Sequence, residues 1–115
     1  MCIRDRCLEE GLATADEIDA VVSSTFGFRL PVFGPFMIAD MAGLDVYASI
    51  LDSLEQRFGD RFAGALALRS LVATGAYGMK TGRGFRQYNE GASRESRERR
   101  DHAYKRLRQA LGYDD

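Results

Sequence analysis

Tryptophan is absent from these 115 residues, and histidine, proline and cysteine are scarce, with one, two and two copies. No Ser-His-Asp set, no metal-spaced His/Cys cluster and no G-x-G-x-x-G fingerprint occurs anywhere in the chain. Catalytic residues and metal ligands are therefore both assigned as none. Cys2 and Cys7 lie near one end and make no disulfide framework, which points to a reducing cytoplasm. No apolar run approaches the ~18–20 residues that cross a bilayer, and no apolar core of a signal peptide is visible, so no membrane is expected. A net charge of −1 gives no global argument for nucleic acid. Alternating runs of strand length are missing too.

What is present is a helical pattern punctuated by glycine. Cys7–Glu10 reads as a last helical turn stopped by Gly11. Thr14-Ala-Asp-Glu17 is a capping box, and Ile18, Val21 and Val22 give the short helix behind it, ending near Ser24, one apolar face. Residues 26–34 read as a loop, because Gly and Pro punctuate them and no period holds. Pro35 suits the first position of a helix that is apolar nearly all round and therefore buried. Gly43 ends that helix and Asp45 is expected to cap the next, along which Tyr47, Ile50, Leu51, Leu54 and Phe58 form a stripe. A further helix is expected over 61–74, with Gly75 after its end. The pattern predicts an all-α domain, a compact bundle of short antiparallel helices.

After Tyr88 the composition shifts. Residues 89–96 are polar and read as a linker or frayed helix start, and 97–111 as a charged helix with a narrow Tyr104/Leu107/Leu111 stripe. Seven basic against five acidic residues over 91–115 describe a solvated face rather than a nucleic-acid stripe. His102, on that helix, reads as a solvated surface residue. Residues 1–6 do not extend the pattern that Cys7 begins. They look like translated adapter sequence, so the chain is expected to be a truncated reading frame without its own N-terminal portion.

The most informative stretch is Gly75-Ala-Tyr-Gly-Met-Lys80-Thr-Gly-Arg-Gly-Phe85-Arg-Gln-Tyr88. Four glycines around one lysine and one threonine suit a loop that turns sharply and approaches a neighbour closely. Lys80 precedes two of the glycines, so this is no Walker A loop. Together with Gly34-Pro-Phe-Met-Ile-Ala-Asp40 and Ala42-Gly-Leu-Asp45, the segment resembles the C-terminal domain of the NAD-dependent 3-hydroxyacyl-CoA dehydrogenases. The resemblance covers residues 7–88, with 89–115 as a charged extension. It implies a helical domain like the C-terminal domain of 6-phosphogluconate dehydrogenase. It further implies a homodimer, a preceding Rossmann domain of the same polypeptide that binds NAD and carries the base, and an acyl-CoA or related 3-hydroxy acid as substrate.

The resemblance places Lys80 on the NAD side of the cleft; the bare residue pattern leaves open a solvated loop lysine. Phe33, Phe36 and Met37, around the Gly34-Pro35 turn, are substrate-pocket candidates, although the same residues could serve as core. Phe85 and Tyr88 read as core or interface anchors. Asp40, in an apolar helix, is expected to accept a structural hydrogen bond from a loop amide. Two departures from the family pattern stand near the substrate side. Val32-Phe33 replaces Pro-Met before Gly34, and Met37 stands at a commonly acidic position. They leave a carnitine-type or other non-CoA 3-hydroxy acid open, and a free-standing helical dimerisation module is the remaining alternative.

Overall fold

Thr14 opens the second helix as its sequence predicts. The Glu17 amide donates to the Thr14 hydroxyl at 3.2 Å, and the Thr14 amide donates to the Glu17 carboxylate at 2.8 Å. The Thr14 amide first, and then the Thr14 hydroxyl donating at 3.0 Å, hold the Glu17 carboxyl below the usual range. The computed structural model describes residues 3–113. Met1 and Cys2, the first two of the six residues expected to be adapter sequence, lie outside the described residues, as do Asp114 and Asp115. The chain runs as α1 (Ile3–Glu9), α2 (Ala15–Ser24), α3 (Phe26–Arg29), α4 (Pro35–Ala42), α5 (Leu44–Phe58), α6 (Leu66–Ala73) and α7 (Ala92–Ala110), with 3-10 turns at Asp60–Phe62 and Met79–Thr81. Among the described residues, β structure is limited to two isolated bridges, Gly78 with Arg83 and Arg83 with Gln87. The all-α expectation holds.

Five local expectations are corrected. Residues 26–34 are not loop throughout. Thr25 leaves helical geometry with its hydroxyl on the Val21 carbonyl at 2.6 Å, and the chain then closes one turn, α3, through Leu30 N–H to Phe26 O at 3.1 Å. One turn is too short to show a period. The helix over 61–74 is also interrupted: Gly64 and Ala65 take φ of 102° and 50°, so a 3-10 turn precedes and α6 starts only at Leu66. Asp45 is not an N-cap; Gly43 holds that position, and Asp45 sits in the first turn of α5 facing Lys80. α7 begins at Ala92, five residues early, because Gly91 at φ 89° turns the chain directly into it. A polar sequence is no helix breaker. Finally, α4 is not buried all round: Phe36 is 60% exposed.

The core is small and lies where α4, the start of α5 and the 75–88 loop meet. It comprises Phe33, Ala39, Leu44, Ala48, Ala76 and Met79, with Leu44 fully covered. α5 and α6 are tied by Arg69, whose guanidinium meets Asp52 and Glu55 at 2.5 and 3.2 Å. The molecule is a plate of 43 × 41 × 19 Å. Val21, Phe26, Ile50, Phe58 and Leu66 are left exposed on it.

Candidate functional site

Asp40 is the one buried charged residue among those described, only 1% exposed, and its surroundings explain the glycine loop. The Phe85 and Arg86 amides donate to its two carboxylate oxygens at 2.9 and 3.1 Å, and the Tyr88 hydroxyl donates at 2.6 Å. The expected loop-amide bond to Asp40 is therefore present twice, with a phenol added. Charge-assisted bonds of this kind are about twice as strong as neutral ones.

Glycines make the close approach possible. A Cβ on Gly84 would strike the Asp40 carboxylate, and one on Gly78 would strike the Asp40 backbone. Gly78 also takes φ 105°, which L side chains adopt poorly. Within the loop, Thr81 Oγ1 accepts from the Tyr77 amide at 2.9 Å, and the Tyr77 carbonyl accepts the Leu44 amide at 2.9 Å, joining the loop to α5.

Tyr88 was legible only as an anchor, and its bond to Asp40 carried no sequence signal. Burial pushes its hydroxyl up to about 12, with the Asp40 hydrogen bond and charge adding to the shift and Arg86 opposing it. The protonated phenol is thus favoured by folding. That contribution is complete below pH 10 and lost as pH rises through about 12. Denaturation midpoints between pH 10 and 12 should fall more steeply for the natural chain than for Tyr88→Phe. Parallel curves would show that this phenol does not report on folding.

Lys80 is 48% exposed, with its ammonium 2.6 Å from Asp45 Oδ1 and 5.6 Å from the Tyr77 ring centroid. The ion pair, through the Lys80 hydrogen bond first, holds the Asp45 carboxyl below its usual range despite some opposing desolvation. The pocket candidates do not share one wall. Phe36 packs edge-on against Phe85 with centroids 4.7 Å apart. The Met37 sulfur lies 3.4 Å from Arg86 Nη1 and 3.5 Å from the Tyr88 hydroxyl, so the residue at the family's acidic position belongs to the rear of the clamp. Phe33 is buried beneath α7, with the Arg99 guanidinium 5.3 Å from its ring. His102 is exposed, and no metal-competent cluster of His, Cys, Asp or Glu occurs among the described residues.

Fold and site define a class: an all-α domain whose Lys-Thr-Gly-x-Gly-Phe loop is pinned to a buried aspartate of a Gly-Pro-Phe helix. Residues 5–88 match the model of the 3-hydroxyacyl-CoA dehydrogenase C-terminal domain. The chain is 39% identical over 88 residues to a probable 3-hydroxybutyryl-CoA dehydrogenase of Bacillus subtilis, covering 76% of this chain and 30% of that protein. It is 31% identical over 77 residues to a 5-formyl-3-hydroxy-2-methylpyridine 4-carboxylate 5-dehydrogenase of Mesorhizobium japonicum, covering 67% of this chain and 25% of that one. Among solved structures, a 3-hydroxyacyl-CoA dehydrogenase from Archaeoglobus fulgidus superposes with a TM-score of 0.79 at 33% identity, over 96% of this chain and 38% of its own. The chain belongs to the 3-hydroxyacyl-CoA dehydrogenase family, through its C-terminal domain, and spans about a third of the length of these relatives.

Proposed function

We propose that this chain is the substrate-covering and dimerising C-terminal domain of a cytoplasmic, NAD-dependent 3-hydroxyacyl-CoA dehydrogenase that oxidises a 3-hydroxyacyl-CoA to the 3-oxoacyl-CoA in fatty-acid metabolism. The match of residues 5–88 to that family's C-terminal domain carries the reading. NAD, when bound, accepts the C3 hydride; the base and the dinucleotide fingerprint belong to a preceding Rossmann domain of the same polypeptide. This chain supplies walls. Exposed Phe36 faces the acyl chain, while Met37 and Phe33 set the shape behind it. The half-exposed Lys80 ammonium is open to a second anionic partner while Asp45 holds it in place, which fits an edge of the cofactor. Two subunits meet through α5 and α6, where Ile50, Phe58 and Leu66 are exposed.

The test is a chimaera in which residues 5–113 replace the matching C-terminal part of the Bacillus subtilis protein. It should reduce NAD with 3-hydroxybutyryl-CoA, and the isolated chain should not. A folded but inactive chimaera, or an active isolated chain, would overturn the assignment. In the chimaera, Lys80→Ala should weaken NAD binding about tenfold, the loss expected for one charge-assisted hydrogen bond, with Lys80→Arg recovering part of it. Unchanged NAD affinity would make Lys80 a structural partner of Asp45 alone. The Mesorhizobium relative, whose name carries no CoA, favours a second reading in which the substrate is a CoA-free hydroxy acid. Turnover of free 3-hydroxybutyrate or carnitine above that of the CoA ester would select it.

A further inference from the structure

α7 lies outside the matched residues 5–88, yet one of its faces is turned toward the domain. Ser93, Arg97, Arg100 and Tyr104 recur on that face at three- and four-residue steps and line a cleft of about 450 Å³ between α7 and α4. A charged helix of this composition would ordinarily turn its arginines to solvent. Here the cleft is built in two halves of opposite character. Phe33, Ile38, Met41 and Met79 form an apolar floor. Around the rim stand Arg29, Arg97 and Arg100, three guanidiniums against the single carboxylate of Asp101. Asp101 is engaged by Arg100 at 2.8 Å. The Arg97 Nε donates to the Ser93 carbonyl at 3.2 Å, which leaves its remaining donors for another acceptor. Arg29 has no ion-pair partner among the described residues.

From a cationic rim over a methionine-rich apolar floor, we infer that this cleft binds an amphiphilic anion: a carboxylate- or phosphate-headed molecule with an unbranched apolar tail. The head sits between Arg29 and Arg97, which supply forked donors to paired oxygens. The tail lies along Met41 and Met79, whose flexible thioethers accommodate chains of different length. The volume falls within the range of small-ligand sites. Of the residues proposed to wall the dehydrogenase substrate, this site shares Phe33, and it needs no turnover to be detected.

Calorimetric titration of the full chain with octanoate, octyl phosphate, octanol and acetate tests it, with methionine-methyl NMR to place the ligand. Octanoate and octyl phosphate should bind one per chain and shift the Met41 and Met79 methyl signals. Octanol should bind at least about tenfold more weakly, since it forms no ion-paired hydrogen bonds, and acetate should not bind. Arg29→Gln and Arg97→Gln, both at exposed positions, should each weaken octanoate about tenfold while leaving the helical circular dichroism unchanged. Tighter octanoate would identify a free fatty acid as the source of the head, and tighter octyl phosphate a phosphate-headed lipid. Equal affinity for octanol and octanoate, shifts away from Met41 and Met79, or full affinity in the double Gln variant would overturn the proposal.

Discussion

Asp40→Ala is expected to lose about 3–5 kcal/mol of folding stability, because it strands the donors of a buried carboxylate and opens a cavity. The two amides and the phenol that now donate to the carboxylate would be left facing a cavity. Each stranded donor costs about 1–3 kcal/mol, and a cavity forms in their midst. A domain whose total stability is about 5–15 kcal/mol would be largely unfolded at moderate urea. Asp40→Asn separates charge from volume. It preserves size but turns one acceptor into a donor that opposes an amide or the phenol, so its loss should be smaller, about 2–3 kcal/mol. Urea midpoints compared by circular dichroism measure the order. Asn as stable as the natural residue would mean that the negative charge contributes nothing there.

Gly78→Ala is expected to rank next, at about 2–4 kcal/mol, because two costs coincide. Its φ of 105° strains any L side chain, and the new Cβ would press on the backbone of Asp40, which cannot swing away as a side chain can. Two neighbouring glycines separate these costs. Gly75 has φ 75° and open space where a Cβ would stand, so Gly75→Ala meets strain alone, about 1 kcal/mol. Gly84 lies outside the positive-φ set but meets the Asp40 carboxylate and the Gly78 backbone, so Gly84→Ala meets contact without strain. Thermal midpoints should therefore fall least for the Gly75 variant and most for the Gly78 variant. Equal effects at all three would show that the loop does not rest on α4 as described.

Helix ends set by strong local chemistry were readable in the sequence. The Thr14 capping box, Pro35 at the start of α4, and Gly75 behind α6 each act within four residues, and each is found where the pattern places it. Elements decided by competing effects were not. The helix expected over 61–74 ran straight across Gly64, but backbone freedom at that glycine breaks it there. Asp45 had an N-cap's composition, yet the Lys80 ammonium, 35 positions away, drew its carboxylate instead. For the site, a partner for Asp40 was implied by the cost of burying a bare carboxylate. Which amides would serve depended on a register that helical periodicity does not encode. Tyr88 was readable as an anchor, but its bond to Asp40 was hidden for the same reason.

The bonds between Asp40 and residues 85–88 join positions 45 to 48 apart, whereas every helix between them is closed by local bonds. Local turns form fast, and closing a loop of this length carries an entropic cost that must be met before its contacts exist. The order of events on a growing chain follows. As α4 emerges during synthesis its carboxylate has only water as donor, and it cannot be buried until more than forty further residues are made. Tyr88 is the last of those donors along the chain. A ribosome-held chain ending before Phe85 should remain open to proteases across α4, and one extending past Tyr88 should become resistant in a single step.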